Sequence, residues 1–74
     1  MKPCQYSVVV EGELGPRFVA AFDPYRLETA AGTTAIVGMV RDQAELQGLL
    51  DAIAAFGLQL VSVTPEEHGS ASRR

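Results

Sequence analysis

Two residues of this 74-residue chain are the first candidates for nucleophilic catalysis: Cys4, its single cysteine, and His68, its single histidine. A nucleophilic side chain needs a general base within hydrogen-bond reach, but His68 lies in a small, polar segment after Pro65. One cysteine allows neither an internal disulfide nor a Cys-rich metal site. We therefore expect no catalytic residue, no metal site and no cofactor, and the sequence argues against an enzyme without excluding one.

The remaining candidates for binding lie in a loop after the first predicted strand, formed by Glu11, Gly12, Glu13 and Gly15. The two carboxylates could together bind a cation, but a single Glu-x-Glu is a weak pattern and solvated side chains are the ordinary outcome. The glycines do not form a phosphate-binding loop, because no lysine follows them at the required spacing. The loop is kept as a candidate site for a small-molecule ligand.

Composition excludes several other functions. The net charge is −3, and no basic stripe is present to neutralise phosphates, so nucleic acid is not an expected partner. No apolar run approaches the 18 residues or so of a membrane-spanning helix, and the first residues lack the apolar core of a signal peptide. We predict one soluble, cytoplasmic domain that does not bind membranes.

The segment from Asp42 to Val63 organises the predicted fold. Asp42 is a good N-cap, Glu45 follows at the capping-box position, and Gly57 suits the left-handed residue that ends a helix. One face of this helix carries four apolar side chains at helical spacing: Leu46, Leu49, Leu50 and Ile53. Residues 58–63 then have the composition of a strand.

Four further elements precede that segment. Strands are predicted over residues 6–11, 25–31 and 33–40, and a short helix over residues 16–22. The order βαββαβ predicts an α+β, ferredoxin-like sandwich: a four-stranded antiparallel sheet of order 4-1-3-2 with both helices on one face. The domain spans residues 6–64, between a lead-in of residues 1–5 and a mobile tail of residues 65–74.

The sheet face without helices is predicted to be apolar at its centre. Val9, Val37 and Met39 fall on the two central strands, and Val61 and Val63 would extend the patch. The phase of strand four stays open, because Leu60-Val61-Ser62-Val63 does not alternate cleanly. Since a domain this short has a marginal core, we predict a homodimer that pairs through this face.

The pattern resembles a group of short, uncharacterised bacterial ferredoxin-like proteins. Four stretches carry the resemblance: Tyr6 to Val10, Gly32-Thr33-Thr34, Asp42-Gln43-Ala44 and Gly57 to Val61. More loosely, the chain is similar to ACT-type regulatory modules, which pair through their sheets and bind amino acids near the loop after strand one. The matching stretch, Glu11 to Pro16, lacks the usual acidic-x-Pro-Gly order.

Three functions remain as hypotheses. The first is a small, non-enzymatic, homodimeric interaction or regulatory module. The second, implied by the looser resemblance, is an ACT-like amino-acid sensor that uses the loop at a dimer interface. The third is a small dimeric ferredoxin-like enzyme, which the mostly apolar helix-facing positions disfavour. RNA binding of the kind this fold supports needs aromatic residues on strand three, and that strand has none.

Overall fold

The computed structural model describes residues 2–66. It contains the six predicted elements in the predicted order: β1 (Cys4–Glu11), α1 (Pro16–Ala21), β2 (Arg26–Ala30), β3 (Thr33–Val40), α2 (Gln43–Ala55) and β4 (Leu60–Glu66). The four strands form one antiparallel sheet in the order β2-β3-β1-β4. The prediction of an α+β domain with strands one and three at the centre of an open four-stranded sheet is therefore confirmed.

Two strands are longer than their sequence patterns suggested. β1 begins at Cys4, inside the predicted lead-in, because Cys4 pairs with Val40 of β3. β4 continues through Pro65 and Glu66, the first residues of the predicted tail, because they pair with β1. The rest of that tail, residues 67–74 with the histidine, lies outside the described residues.

Both helices pack on the same face of the sheet. The inward side chains of β1 and β3 meet side chains from α2 and from the end of α1 in one cluster, whose buried members are Val8, Val10, Phe22, Ile36, Leu49 and Ile53. Removing such apolar surface from water is the main favourable contribution to folding. Within residues 2–66, no helix covers the opposite face of the sheet.

Local signals place both ends of α2. The side chain of Asp42 accepts a hydrogen bond from the Glu45 amide at 2.8 Å, as the N-cap prediction required. Gly57 follows the helix with φ of 73°, a conformation that glycine adopts at little cost. Gly48 in the middle of α2 does not mark a close approach of another backbone, since no described atom outside the helix backbone lies within 4 Å of an added Cβ.

The connection between β2 and β3 is a two-residue turn. Ala30 pairs with Thr33, and the two residues between them, Ala31 and Gly32, have φ of 54° and 85°. Positive φ at both positions is the conformation that matches the twist of a hairpin. Alanine reaches it less easily than glycine, which has no Cβ to crowd the following carbonyl, and less easily than asparagine, whose polar side chain can hydrogen-bond locally.

Candidate functional site

The predicted ligand loop between β1 and α1 is bonded to the β2–β3 turn. The Gly12 amide donates to the Gly32 carbonyl at 2.7 Å, and the Gly32 amide donates in return to Glu13 Oε2 at 3.0 Å. Glu11 lies at the end of β1, where its amide donates to the Gln59 carbonyl at 2.9 Å. The Glu13 carboxylate therefore already holds a partner from its own chain.

Thr34 ties the same loop to the sheet. Its side chain is fully buried, and its hydroxyl donates to the Gly12 carbonyl at 2.7 Å while it accepts from the Leu14 amide at 3.0 Å. Gly15 is the N-cap residue of α1, and its carbonyl accepts from the Phe18 amide. These contacts give the loop a structural role, because a buried polar group without a partner would be costly.

A polar link joins the sheet to the start of α2, and the sequence patterns did not predict it. The Tyr25 hydroxyl donates to Glu45 Oε2 at 2.6 Å, and Glu45 Oε1 accepts from the Arg41 amide at 2.9 Å and from Arg41 Nε at 3.1 Å. A capping box predicts a hydrogen bond from the Asp42 amide to Glu45. Glu45 instead accepts from the amide of Arg41, one residue further back. The sequence feature that could have indicated this link is Gly38 in the middle of β3, because a glycine inside a strand often marks a place where another group comes close to the backbone.

The surroundings of this link move the pKa of Tyr25 and the pKa of Glu45 further from 7. Burial, followed by the hydrogen bond to Glu45, raises the pKa of Tyr25 to about 12. The hydrogen bond from Tyr25, followed by those from Arg41, lowers the pKa of Glu45 to about 2. The hydrogen bonds therefore give Tyr25 and Glu45 a structural role, because they join the sheet to the start of α2.

The open face of the sheet carries a contiguous apolar patch. The register pairs Val9 with Ala35, places Val37 opposite Ser7, and brings Met39 to the end of the same face. Directly paired residues point to the same side of a sheet. We call Val9, Ala35, Val37 and Met39 the open-face patch, and it lies on the two central strands as predicted.

Polar side chains border the patch on both outer strands. On β2, Arg26 pairs with Val37 and Glu28 with Ala35, so both charges lie on the open face. On β4, the residues that share this face are Ser62, Thr64 and Glu66. An apolar centre with a polar border is the usual composition of a protein interface.

Members of the patch differ in exposure. Met39 is 54% exposed, whereas Val37 is only 5% exposed although it faces away from the helices. Val9 and Ala35 are half-buried. A partner on this face would therefore bury new surface mainly at Met39, Val9 and Ala35, and little at Val37.

The structure decides the phase of β4, which the sequence left open. Val63 pairs with Val8 and packs against the core on the helix side, so it lies on the face opposite the patch. The register passes from Val9–Ser62 to Val10–Leu60, which makes Val61 the extra residue of a β-bulge. Val61 is exposed, but it is displaced from the regular alternation on which the prediction relied.

Comparison with known proteins supplies a family. Residues 5–64 match a family described as a domain of unknown function (DUF8691). The chain belongs to this family. No curated protein and no solved structure matches the chain. The family match runs from β1 into β4 and includes the loop, the polar link and the open-face patch.

Further apolar residues of the family domain are exposed away from the open face. Phe56, which follows α2, contacts Phe18 edge-to-face with ring centroids 5.4 Å apart, and Phe22 at 5.6 Å. It remains partly exposed, as does Val19 of α1. Among residues 2–66, no three side chains of the metal-ligating types come together, and no helix is both long and apolar enough to cross a bilayer.

Proposed function

We propose that this domain is a small, non-enzymatic, homodimeric interaction or regulatory module that pairs through the open face of its sheet. The observation that carries the proposal is the open-face patch, an apolar strip on the two central strands that neither helix of the described part of the chain covers. A sheet with one uncovered apolar face gains stability when a second layer is added.

The energetic argument depends mainly on Met39. Complete burial of a methionine side chain contributes roughly 1.5–3 kcal/mol, and Met39 is 54% exposed in one chain. Its burial against a partner is therefore worth about 1–1.5 kcal/mol per copy, and Val9 and Ala35 add to this. A 74-residue domain benefits from such a gain, because it buries only about 60–65% of its unfolded surface.

The two other hypotheses find less support. An ACT-like sensor would bind its ligand at the loop after β1, but Gly12, Glu13 and Leu14 in that loop bond to their own chain. For an enzyme, the main polar link of the fold is already engaged within the chain, since Glu45 accepts hydrogen bonds from Tyr25 and Arg41. The sensor remains the alternative proposal.

We further propose that the fold is of the ferredoxin-like type. The observed order β2-β3-β1-β4, read from the opposite edge of the sheet, is 4-1-3-2. The βαββαβ connection and the single layer of helices also agree with that type. Pairing through an uncovered sheet face is then a natural use of this architecture.

Two substitutions of matched exposure test the homodimer. Met39→Asp places a charge in the proposed interface, where pairing would remove it from water at a high cost. Val19→Asp is the control, because Val19 is 52% exposed and belongs to α1 on the other side of the sheet. We expect the wild type and Val19→Asp to be dimers by size-exclusion chromatography with light scattering, and Met39→Asp to be a folded monomer by circular dichroism.

Other outcomes would contradict the proposal. A dimer that survives Met39→Asp would place any interface elsewhere, and loss of the dimer in Val19→Asp alone would place it on the helices. Val37→Asp is unsuitable as the main test, because a charge at a position that is 5% exposed would be buried within the chain itself.

A further inference from the structure

β2 presents one cation and one anion on the open face. Arg26 and Glu28 lie two residues apart on this outer strand, and their side chains meet at 3.1 Å while remaining 66% and 56% exposed. An exposed ion pair of this kind adds little to the stability of a single chain. Both groups therefore remain available to charges from a partner on the same face.

A two-fold axis would bring this pair against its own copy. In a symmetric dimer each surface meets the same surface of the partner. We place this axis between the two facing sheets, perpendicular to the strands and level with Leu27. In that arrangement β2 lies over β2 of the second copy and runs antiparallel to it. Arg26 then faces Glu28 of the second copy and Glu28 faces Arg26, so that each chain supplies the cation of one ion pair and the anion of the other.

The same axis is compatible with the remainder of the face. By the strand register, the axis lies midway between the row of open-face side chains that contains Arg26 and the row that contains Glu28. Apolar side chains then face small or hydroxyl-bearing ones, and no two like charges face each other. The facing pairs are Val37 with Ala35, Val9 with Ser7, Met39 with Thr33, and Gln5 with Glu11. Residue size and charge are thus self-complementary in one orientation of the dimer.

We propose that the partner of the open face is a second copy of this chain, oriented by reciprocal Arg26–Glu28 ion pairs across a two-fold axis perpendicular to the strands. This inference rests on the proposed homodimer and specifies its geometry. Electrostatic complementarity of this kind selects one orientation among several that would bury similar apolar area.

Charge reversal in separate chains tests the orientation. Arg26→Glu gives β2 two anions and Glu28→Arg gives it two cations, so each variant alone brings like charges together across the axis. We expect each homodimer to weaken at least about tenfold in sedimentation equilibrium. An equimolar mixture of the two variants should form a heterodimer at least as tight as the wild-type dimer, identified by its mass in native mass spectrometry.

Controls separate this inference from the homodimer itself. Arg17→Glu makes the same change of charge on α1 and should leave the wild-type dimer unchanged. A wild-type dimer that tolerates both β2 variants, or variants that weaken without restoration on mixing, would overturn the reciprocal pairing and leave the homodimer in place. A monomeric wild type would overturn both proposals.

Discussion

The Tyr25 ring packs where a side chain at residue 38 would lie, so the effect of Gly38→Ala on stability tests this packing. A Cβ added at Gly38 would overlap the Tyr25 ring, with Cε1 at 3.0 Å, Cγ at 3.2 Å and Cδ1 closer still. The ring would have to move, and its movement would draw the hydroxyl away from Glu45, to which it donates at 2.6 Å. Gly38→Ala should therefore destabilise the domain through two coupled losses.

The magnitude follows from those two losses. Overpacking of this kind costs roughly 1–3 kcal/mol, and the weakened hydrogen bond from Tyr25 to Glu45 adds to this cost. We expect Gly38→Ala to lower the free energy of unfolding by at least roughly 1–3 kcal/mol. In an unobstructed strand the same substitution would stabilise by about 0.5–1 kcal/mol, so the sign alone is informative.

A double-mutant cycle isolates the contact. Urea unfolding followed by circular dichroism would compare Gly38→Ala in the wild type, in Tyr25→Phe and in Tyr25→Ala. The phenylalanine variant keeps the ring but lacks the hydroxyl, so only the overlap cost should remain. In Tyr25→Ala the cost should vanish. Equal destabilisation in all three backgrounds, or a neutral Gly38→Ala in the wild type, would refute this reasoning.

Three further predictions concern the turn, the buried hydroxyl and acid stability. Ala31→Asn should stabilise the domain by roughly 0.5–1 kcal/mol in urea unfolding, because asparagine adopts positive φ more easily; no gain would contradict the turn geometry. Thr34→Val should cost roughly 1–3 kcal/mol in the same assay, because the Gly12 carbonyl and the Leu14 amide lose their partner; a neutral result would contradict that bonding. The pKa of Glu45 is lowered from 4.5 to about 2, so its stabilising effect is complete above pH 4.5 and lost as the pH falls towards 2. Glu45→Gln should reduce the loss of stability in that window, and an unchanged acid titration would contradict the link.

Local features of the sequence predicted much of the fold. Asp42 and Gly57 mark the ends of α2 through interactions with their immediate neighbours, which a sequence reveals directly. Alternation in β1 and β3 predicted which side chains lie on the face without helices, because both central strands keep a regular period of two. The placement of Val9, Val37 and Met39 on one face follows from the same regularity.

Features that depend on distant contacts could not be predicted in the same way. The bulge at Val61 shifts the register of β4, and no residue type in that strand signals it. The bond between Tyr25 and Glu45 joins residues 20 positions apart, so it emerges only when the sheet and α2 are assembled. The low exposure of Val37 likewise depends on its neighbours on the adjacent strands.

The central claim is that the open face of the sheet pairs with a second copy, and the mass of the wild-type chain in solution tests it most directly. Sedimentation equilibrium from low to high micromolar concentration should show a reversible transition to twice the 7.9 kDa of one chain. A mass that stays at 7.9 kDa throughout that range would contradict the claim.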